Sequence, residues 1–204
     1  NQLAKQWERE FDKMITSDQK LNIICILTKN HFDKVSYLDV LDADFVITSY
    51  NFLGNKNFLT EWLSEISTNG SYMKGSEYNF DTVQKEFNKI RNKLIEDPTS
   101  LTTLKPILPA IYWHRVIIDE FHEPFTIDKY AYVKNLIAHF RGSYKWCMSG
   151  TPFDKGTECL SKMLDFITDY KNTLNTRIYL NNSIYEHMKT GFFRRNTKKS
   201  VEDE

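Results

Sequence analysis

Four short apolar runs, separated by helical patterns, most constrain what this chain can fold into. They read LNIICILT, DFVITSY, RVIID and YKWCMSG, at residues 21–28, 44–50, 115–119 and 144–150. Each run is short and apolar, as a strand of a parallel sheet is, and the first two predict strands buried on both faces. Strands that alternate with helices build βαβ units, so the sequence predicts an α/β fold: a doubly wound parallel sheet with helices on both faces.

The segments between the predicted strands carry helical periodicity. In NQLAKQWEREF, at residues 1–11, the apolar residues Leu3, Trp7 and Phe11 recur at helical spacing. Further helices are predicted at residues 31–43, 129–140 and 157–170. Residues 53–106 are polar, rich in Asn and Lys, and helix-leaning, and predict a helical insertion between two core strands. Because the first helix is already under way at Asn1, we expect an interior piece of a longer polypeptide.

Composition excludes some classes of protein. The chain carries 27 Lys and Arg against 27 Asp and Glu, so net charge favours no nucleic-acid partner and only a local patch could do so. Its 3 cysteines form no C-x-x-C pair, which predicts free thiols rather than a disulfide framework or a zinc site. Neither a membrane-length apolar run nor a signal peptide is present, so we expect a soluble intracellular protein without a membrane partner.

The run RVIID ends in two adjacent carboxylates, Asp119 and Glu120, followed by His122. In doubly wound sheets ligands bind beyond the carboxyl ends of the strands. There, Asp119 can hold Mg²⁺ through water, and Glu120 can act as a general base on an attacking water. Taken alone, the pair more often marks a strand end that enters a solvated loop. A zinc-protease H-E-x-x-H is excluded at His122, because position 126 is Thr.

Polar residues follow two other predicted strands. Ser149, Gly150 and Thr151 come directly after YKWCM, where small hydroxyl residues can bond neighbouring carboxylates and relay a change at a nucleotide. Thr48, Ser49 and Tyr50 end an earlier strand, where they are suited to contacting a phosphate backbone.

In this order, these motifs resemble those of superfamily 2 helicase-like ATPases of the Swi/Snf type. RVIIDEFHE resembles motif II, the DExH box, KWCMSGTPF is similar to motif III, and DFVITSY is similar to motif Ib. The lead-in Trp-x-Arg-Val-Ile and a Gln-Trp-x-x-Glu pattern in the first helix are common in this family. GFFRRNTKK is similar to the segment that crosses into the second RecA-like lobe. The pair Trp146-Cys147 is similar to the RING-finger repair branch.

The resemblance implies a motor lobe that uses ATP and Mg²⁺ to move along double-stranded DNA in transcription, chromatin or DNA repair. It implies catalytic roles for Asp119, Glu120 and His122, with Asp119 as the Mg²⁺ ligand, and a coupling role for Ser149, Gly150 and Thr151. The implied nucleic-acid contacts are Thr48, Ser49, Tyr50, Arg194, Arg195, Lys198 and Lys199. For the four basic residues, a solvated helix end is an equal alternative.

The same resemblance implies a domain organisation. Residues 1–175 correspond to the first RecA-like lobe from just after motif Ia through motif III. Residues 176–204 correspond to a connecting helix and basic segment leading toward a second lobe of the same polypeptide. The insertion, about residues 53–106, is a candidate site for a protein partner. We expect the parent protein in the nucleus, or in the cytoplasm or virion if a large DNA virus encodes it.

The chain departs from the family pattern at several points. The phosphate-binding loop G-x-x-x-x-G-K-[ST] is absent from this sequence; Gly70 and Gly75 have its spacing, but Ser76 stands where Lys is required. Phe121 occupies a position where the family usually has alanine, a bulky residue expected beside the nucleotide. We therefore expect the parent protein to hydrolyse ATP and this chain alone to be inactive. The alternative is a degenerate, non-catalytic lobe that serves as a protein or DNA interaction module.

Overall fold

Two pairs of parallel strands make up the β-structure of the described chain. The computed structural model describes residues 2–14, 20–58, 80–126 and 131–150, together with residues 163, 166, 167, 190 and 191. Strand β1 (Ile23–Ile26) pairs with β2 (Phe45–Thr48), and β3 (Tyr112–Ile118) pairs with β4 (Arg141–Cys147), both in parallel. All four lie at the predicted apolar runs. Each pair is in register to its end, so the carboxyl ends of paired strands lie together.

The prediction of one continuous doubly wound sheet is not confirmed. The described residues form two separate two-stranded sheets, β1–β2 and β3–β4, rather than one. No ladder of backbone hydrogen bonds joins β2 to β3 within these residues. Instead, the two sheets are connected near their carboxyl ends by a side chain, because the Tyr50 hydroxyl donates to the carbonyl of Asp119. The fold is α/β with short parallel sheets.

Helices occupy most of the remaining described chain. In chain order they are α1 (Gln2–Met14), α2 (Lys29–Phe32), α3 (Tyr37–Asp42), α4 (Tyr50–Leu53), α5 (Phe80–Glu96), α6 (Ser100–Thr103), α7 (Glu123–Thr126) and α8 (Ala131–Ile137), with a 3₁₀ turn at Leu108–Ala110. The predicted helix at residues 157–170 lies largely outside the described residues. Among those described, no helix is both long and apolar enough to cross a membrane.

The single helix predicted over residues 31–43 is wrong, because the structure has two short helices there. Ser36 ends the first segment and begins the second as an N-cap: its hydroxyl accepts from the Asp39 amide, and the Asp39 carboxylate accepts from the Ser36 amide at 2.8 Å. This capping box satisfies two amides that would otherwise lack partners, and so favours a new start at Tyr37.

Aromatic side chains dominate the core. Phe32, Phe52 and Phe58 are mutually in contact, with ring centroids 4.9 to 5.4 Å apart, and Ile26 of β1 is fully buried in the same core. In the β3–β4 sheet, Ile117 is 47% exposed and its neighbour Trp146 is 56% exposed. The burial on both faces predicted for the first two runs is not found: Ile26 is the one buried residue of β1 and β2, and Phe45 of β2 is 37% exposed.

The described part of the predicted insertion is helical, as its pattern indicated. Helix α5 buries Val83 and Phe87 in the core, and its Arg91 donates from Nε to the carbonyl of Ala110 at 2.7 Å. The chain after it is also anchored, since the Ile107 amide donates to the Tyr37 hydroxyl at 2.9 Å. These contacts hold the return segment firmly before it enters β3. The exact limits of the insertion stay a prediction.

Candidate functional site

Asp119, the residue directly after β3, is held at three points. Its carbonyl accepts from the Tyr50 hydroxyl at 2.6 Å. Its Oδ1 accepts from the Glu120 amide at 3.0 Å, and its Oδ2 accepts from the Trp7 indole Nε1 at 3.4 Å. Partners that orient a carboxylate in this way are typical of metal-binding and catalytic sites. The Asp119 carboxylate is thus oriented by a helix that lies far away in the sequence.

Glu120 has a backbone conformation that an L-residue adopts at a cost. Its φ of 47° is the one positive value at a non-glycine residue in the described chain. This left-handed residue breaks the direction of β3 immediately after Asp119. The turn then closes through the Glu123 amide, which donates to the Glu120 carbonyl at 2.9 Å. Such conformations cost about 1–2 kcal/mol and cluster at functional sites.

His122 joins the ends of β3 and β4. Its Nδ1 lies 2.8 Å from the Ser149 Oγ and 3.3 Å from the Glu120 Oε2. Both contacts use the same ring nitrogen, so this is not a nucleophilic triad, in which a histidine uses its two nitrogens for two different partners. The arrangement instead makes the imidazole a bridge between the general-base candidate and the motif that follows β4.

The bulky side chain of Phe121 points into the core. It is fully buried, with its ring 5.9 Å from the ring of Phe166. Its amide donates to the Met148 carbonyl at 2.9 Å, and the Met148 amide donates in turn to the Ile118 carbonyl at 2.8 Å. The substitution relative to the family pattern is therefore accommodated by packing, and these two backbone bonds extend the β3–β4 pairing past both strand ends.

The three hydroxyl residues at the end of β2 and directly after it all form hydrogen bonds inside the protein. Thr48 donates from Oγ1 to the Ile26 carbonyl at 2.9 Å. Ser49 caps α4, because its Oγ accepts from the Phe52 amide at 3.2 Å. Tyr50 donates to Asp119, as described above. The hydroxyls of Thr48 and Tyr50 donate their protons to backbone carbonyls. The hydroxyl of Ser49 instead accepts a hydrogen bond.

The surroundings of Tyr50 are acidic and poorly hydrated. Burial raises the pKa of its hydroxyl well above the ordinary value, and the carboxylates of Glu123 and Asp119 raise this pKa further, as do Cys147 and Glu120. The raised pKa keeps the phenol protonated, and therefore a hydrogen-bond donor, at physiological pH. The site consequently keeps its Tyr50–Asp119 bond across the physiological range.

The donor set at Asp119 fits Mg²⁺ bound with a nucleotide. Within the described part of the chain, no cluster of three or more His, Cys, Asp or Glu side chains is arranged to hold a metal alone. Mg²⁺ commonly takes one or two carboxylates and completes its shell with water and substrate phosphates. Each Asp119 carboxylate oxygen accepts one N–H and retains further acceptor capacity. Asp119 is therefore the residue that would hold the ion, with water and phosphate oxygens as the other ligands.

The structure brings the three predicted catalytic residues together with Ser149, and two contacts of this edge were not predicted. Asp119, Glu120, His122 and Ser149 lie at one edge, and Gly150 follows there with open space around its Cα. The sequence did not predict the contact from Trp7 or the inward bond of Tyr50. The family pattern around Trp7 was the one sequence feature that pointed to a role for that residue. Outside the described residues lie Thr151, Arg194, Arg195, Lys198 and Lys199.

Comparison with known protein families identifies a match to this chain. The model of the family described as the SNF2-related domain matches residues 1–200. The match covers nearly the whole chain and includes α1, the segment predicted as an insertion, both strand pairs and the residues that follow β4. It thus includes every element that contributes to the Asp119 edge.

Proposed function

Because the chain belongs to the SNF2-related domain family, a family of helicase-like ATPases, we propose that it is part of the first RecA-like lobe of an ATP-dependent translocase on double-stranded DNA. The observation that carries this proposal is the edge formed by Asp119, Glu120, His122 and Ser149. Here an oriented carboxylate, a second carboxylate and a bridging imidazole meet at the carboxyl ends of two parallel strands.

Asp119 is the residue that positions the metal in this proposal. Its carboxylate, held by the Trp7 indole and the Glu120 amide, binds the ion through water. Bound Mg²⁺ supplies charge neutralisation on the phosphate oxygens. The hydrogen bond from Tyr50 fixes the backbone from which this carboxylate extends, so its position does not depend on the side-chain rotamer alone.

Glu120 is the general base. Its side chain is 44% exposed, so its carboxylate is accessible to water. It accepts a proton from the attacking water as the new oxygen–phosphorus bond forms and the bond from the γ-phosphorus to the bridging oxygen breaks, with ADP as the leaving group. His122 contacts both Glu120 and Ser149, and so it transmits a change at the base to the motif after β4. Ser149, Gly150 and Thr151 form the coupling segment.

Double-stranded DNA is the substrate on which this motor acts. Contacts are to the phosphate backbone, from the region of Thr48, Ser49 and Tyr50 and from the basic residues Arg194, Arg195, Lys198 and Lys199. Backbone contacts suit a translocase, because they carry no sequence information and can be remade at each step. The insertion of about residues 53–106 is the proposed surface for a protein partner.

Hydrolysis in this proposal requires parts that the present sequence does not contain. No G-x-x-x-x-G-K-[ST] loop occurs in the 204 residues, so a translocase built on this lobe needs a phosphate-binding loop and a second RecA-like lobe from outside this sequence. The absence of this loop from the sequence is the one observation that favours a second candidate function, a non-catalytic helicase-like lobe that binds protein or DNA.

A triplex-displacement assay separates these candidates. The complete polypeptide that carries this chain is mixed with duplex DNA bearing a third strand, with and without ATP. Translocation predicts ATP-dependent release of the third strand while the duplex stays paired. Binding of DNA that is insensitive to ATP, with no release, would instead identify the interaction module and refute the translocase.

A further inference from the structure

Tyr50 connects the two sheets at their carboxyl ends. It begins helix α4 two residues after the end of β2, and its hydroxyl lies 2.6 Å from the backbone carbonyl of Asp119. The bond joins residues 69 positions apart in the sequence. It is a direct link between the segment predicted to meet a nucleic-acid backbone and the carboxylate predicted to hold the metal.

The geometry argues against a surface role for the Tyr50 hydroxyl. A phenol has one proton to donate, and this proton is donated inward to Asp119. A phosphate could compete for that proton only by breaking the bond to Asp119.

Ser49, the preceding residue, is better placed to bind an acceptor. Its Oγ already accepts from the Phe52 amide, and a serine hydroxyl that accepts one bond still has its own proton to donate. No acceptor among the described residues takes that proton. A phosphate oxygen bound there would lie one residue along the backbone from Tyr50, and any shift of the α4 start would move the Tyr50 ring.

We propose that Tyr50 is a positioning residue that couples a nucleic-acid phosphate bound at Ser49 to the carboxylate edge at Asp119. The coupling rests on the proposed function, and it adds the route by which DNA binding raises the rate of hydrolysis. Tyr50 acts through Asp119 and does not touch the nucleotide. A displacement of Tyr50 reaches the Asp119 backbone through the hydroxyl, whereas the Tyr50 ring contributes only packing.

The link itself is tested on the 204-residue chain without nucleotide or DNA. Tyr50→Phe removes the hydroxyl and keeps the ring. Hydrogen exchange of the Phe121 and Glu123 amides, which close the turn after Asp119, is expected to quicken by about tenfold. The Leu104 amide of a distant turn should be unchanged. Tyr112→Phe is the matched control, since Tyr112 is 59% exposed. Unchanged exchange at Phe121 and Glu123 would overturn the link.

The coupling is tested on the complete polypeptide. The measured quantity is the ratio of ATP turnover at saturating double-stranded DNA to turnover without DNA. We expect Tyr50→Phe to lower this ratio by at least about fivefold and Tyr112→Phe to leave it unchanged. A Tyr50→Phe variant that keeps the normal ratio at saturating DNA but binds DNA tenfold more weakly would show a DNA contact, and would overturn the coupling.

Failure of the proposed function is distinguishable from failure of this coupling. If the wild-type polypeptide shows no DNA-stimulated hydrolysis, the translocase proposal fails and the coupling fails with it, whatever the exchange experiment shows. If the wild type is stimulated and Tyr50→Phe is stimulated equally, the translocase proposal survives and the coupling alone is wrong.

Discussion

The imidazole of His122 lies 2.8 Å from the hydroxyl of Ser149, which places the residue after one strand in contact with the residue after its neighbour. His122 follows β3 and Ser149 follows β4, and the two strands are paired in parallel. The contact adds a side-chain link between two loops that backbone bonds at Phe121 and Met148 also join.

A double-mutant cycle measures this contact. His122→Ala and Ser149→Ala are each expected to destabilise the chain, and together by less than the sum, with a coupling free energy of about 0.5–1.5 kcal/mol. The measurement is urea unfolding followed by circular dichroism. As a control, His122→Ala is combined with Ser143→Ala, an exposed position of β4, and these effects should add. Full additivity of His122→Ala with Ser149→Ala would contradict the contact.

The left-handed backbone of Glu120 makes a second prediction. Since φ is 47° at this residue, glycine fits without the steric cost that any other side chain has. Glu120→Gly should therefore be more stable than Glu120→Ala by about 1 kcal/mol in thermal unfolding. At Glu123, within helix α7, the alanine variant should instead be more stable than the glycine variant. A Glu120→Gly variant less stable than Glu120→Ala would show that the turn is not left-handed.

Two glycines, one at the start of β4 and one after its end, should respond differently to alanine. A Cβ at Gly142 would lie 2.9 Å from the Trp113 carbonyl oxygen and 3.1 Å from Val116 Cγ2, whereas a Cβ at Gly150 would meet nothing within 4 Å. Gly142→Ala should destabilise the chain by about 1–3 kcal/mol, because the neighbouring strand must shift. Gly150→Ala should change stability by less than about 0.5 kcal/mol. Equal effects in chemical denaturation would argue against the close approach of β3 to β4 at Gly142.

The thiol of Cys25 gives a pH-dependent prediction. Burial, its hydrogen bond to Glu8 at 2.8 Å and the charge of that carboxylate raise the pKa of Cys25 to about 12. In the unfolded chain a thiol ionises near pH ~8.5. Above that pH the unfolded state binds fewer protons than the folded state, so this contribution to stability declines as pH rises from about 8.5 toward 12.

The quantity compared between the two proteins is the change of the free energy of unfolding with pH, rather than its absolute value. Wild type and Cys25→Ala are unfolded in urea at pH 8, 9 and 10, and wild type should lose more stability over this range. Lysine and tyrosine titration affects both proteins equally, so it cancels in the difference. Parallel slopes would mean that the Cys25 thiol titrates normally in the folded chain.

The sequence predicts those parts of the structure that depend on interactions between residues close together in the chain. The strands were predictable because short β-branched runs such as Ile23–Ile26 carry a local signal. β4, however, begins at Arg141, three residues before the predicted run at Tyr144. The capping box of Ser36 and Asp39 was also visible locally and separates the two helices that were predicted as one.

The juxtaposition of His122 and Ser149 followed from a general rule, that parallel strands end at one edge. The partners of Asp119 did not follow from any such rule. Trp7 and Tyr50 lie 112 and 69 positions away in the sequence, and their contacts depend on how α1 and α4 pack against the sheets. The separation into two strand pairs was likewise not predictable, because the apolar runs do not specify which neighbours pair.

The central claim is that the Asp119–Glu120 edge hydrolyses ATP in response to DNA. Its most direct test is ATP turnover by the complete polypeptide at saturating double-stranded DNA, comparing wild type with Glu120→Gln. Glu96→Gln, at the exposed end of α5, is the matched control. Loss of the general base should lower turnover by about 10²–10⁴-fold in Glu120→Gln and leave Glu96→Gln at the wild-type rate. DNA-stimulated turnover that persists in Glu120→Gln would contradict the account.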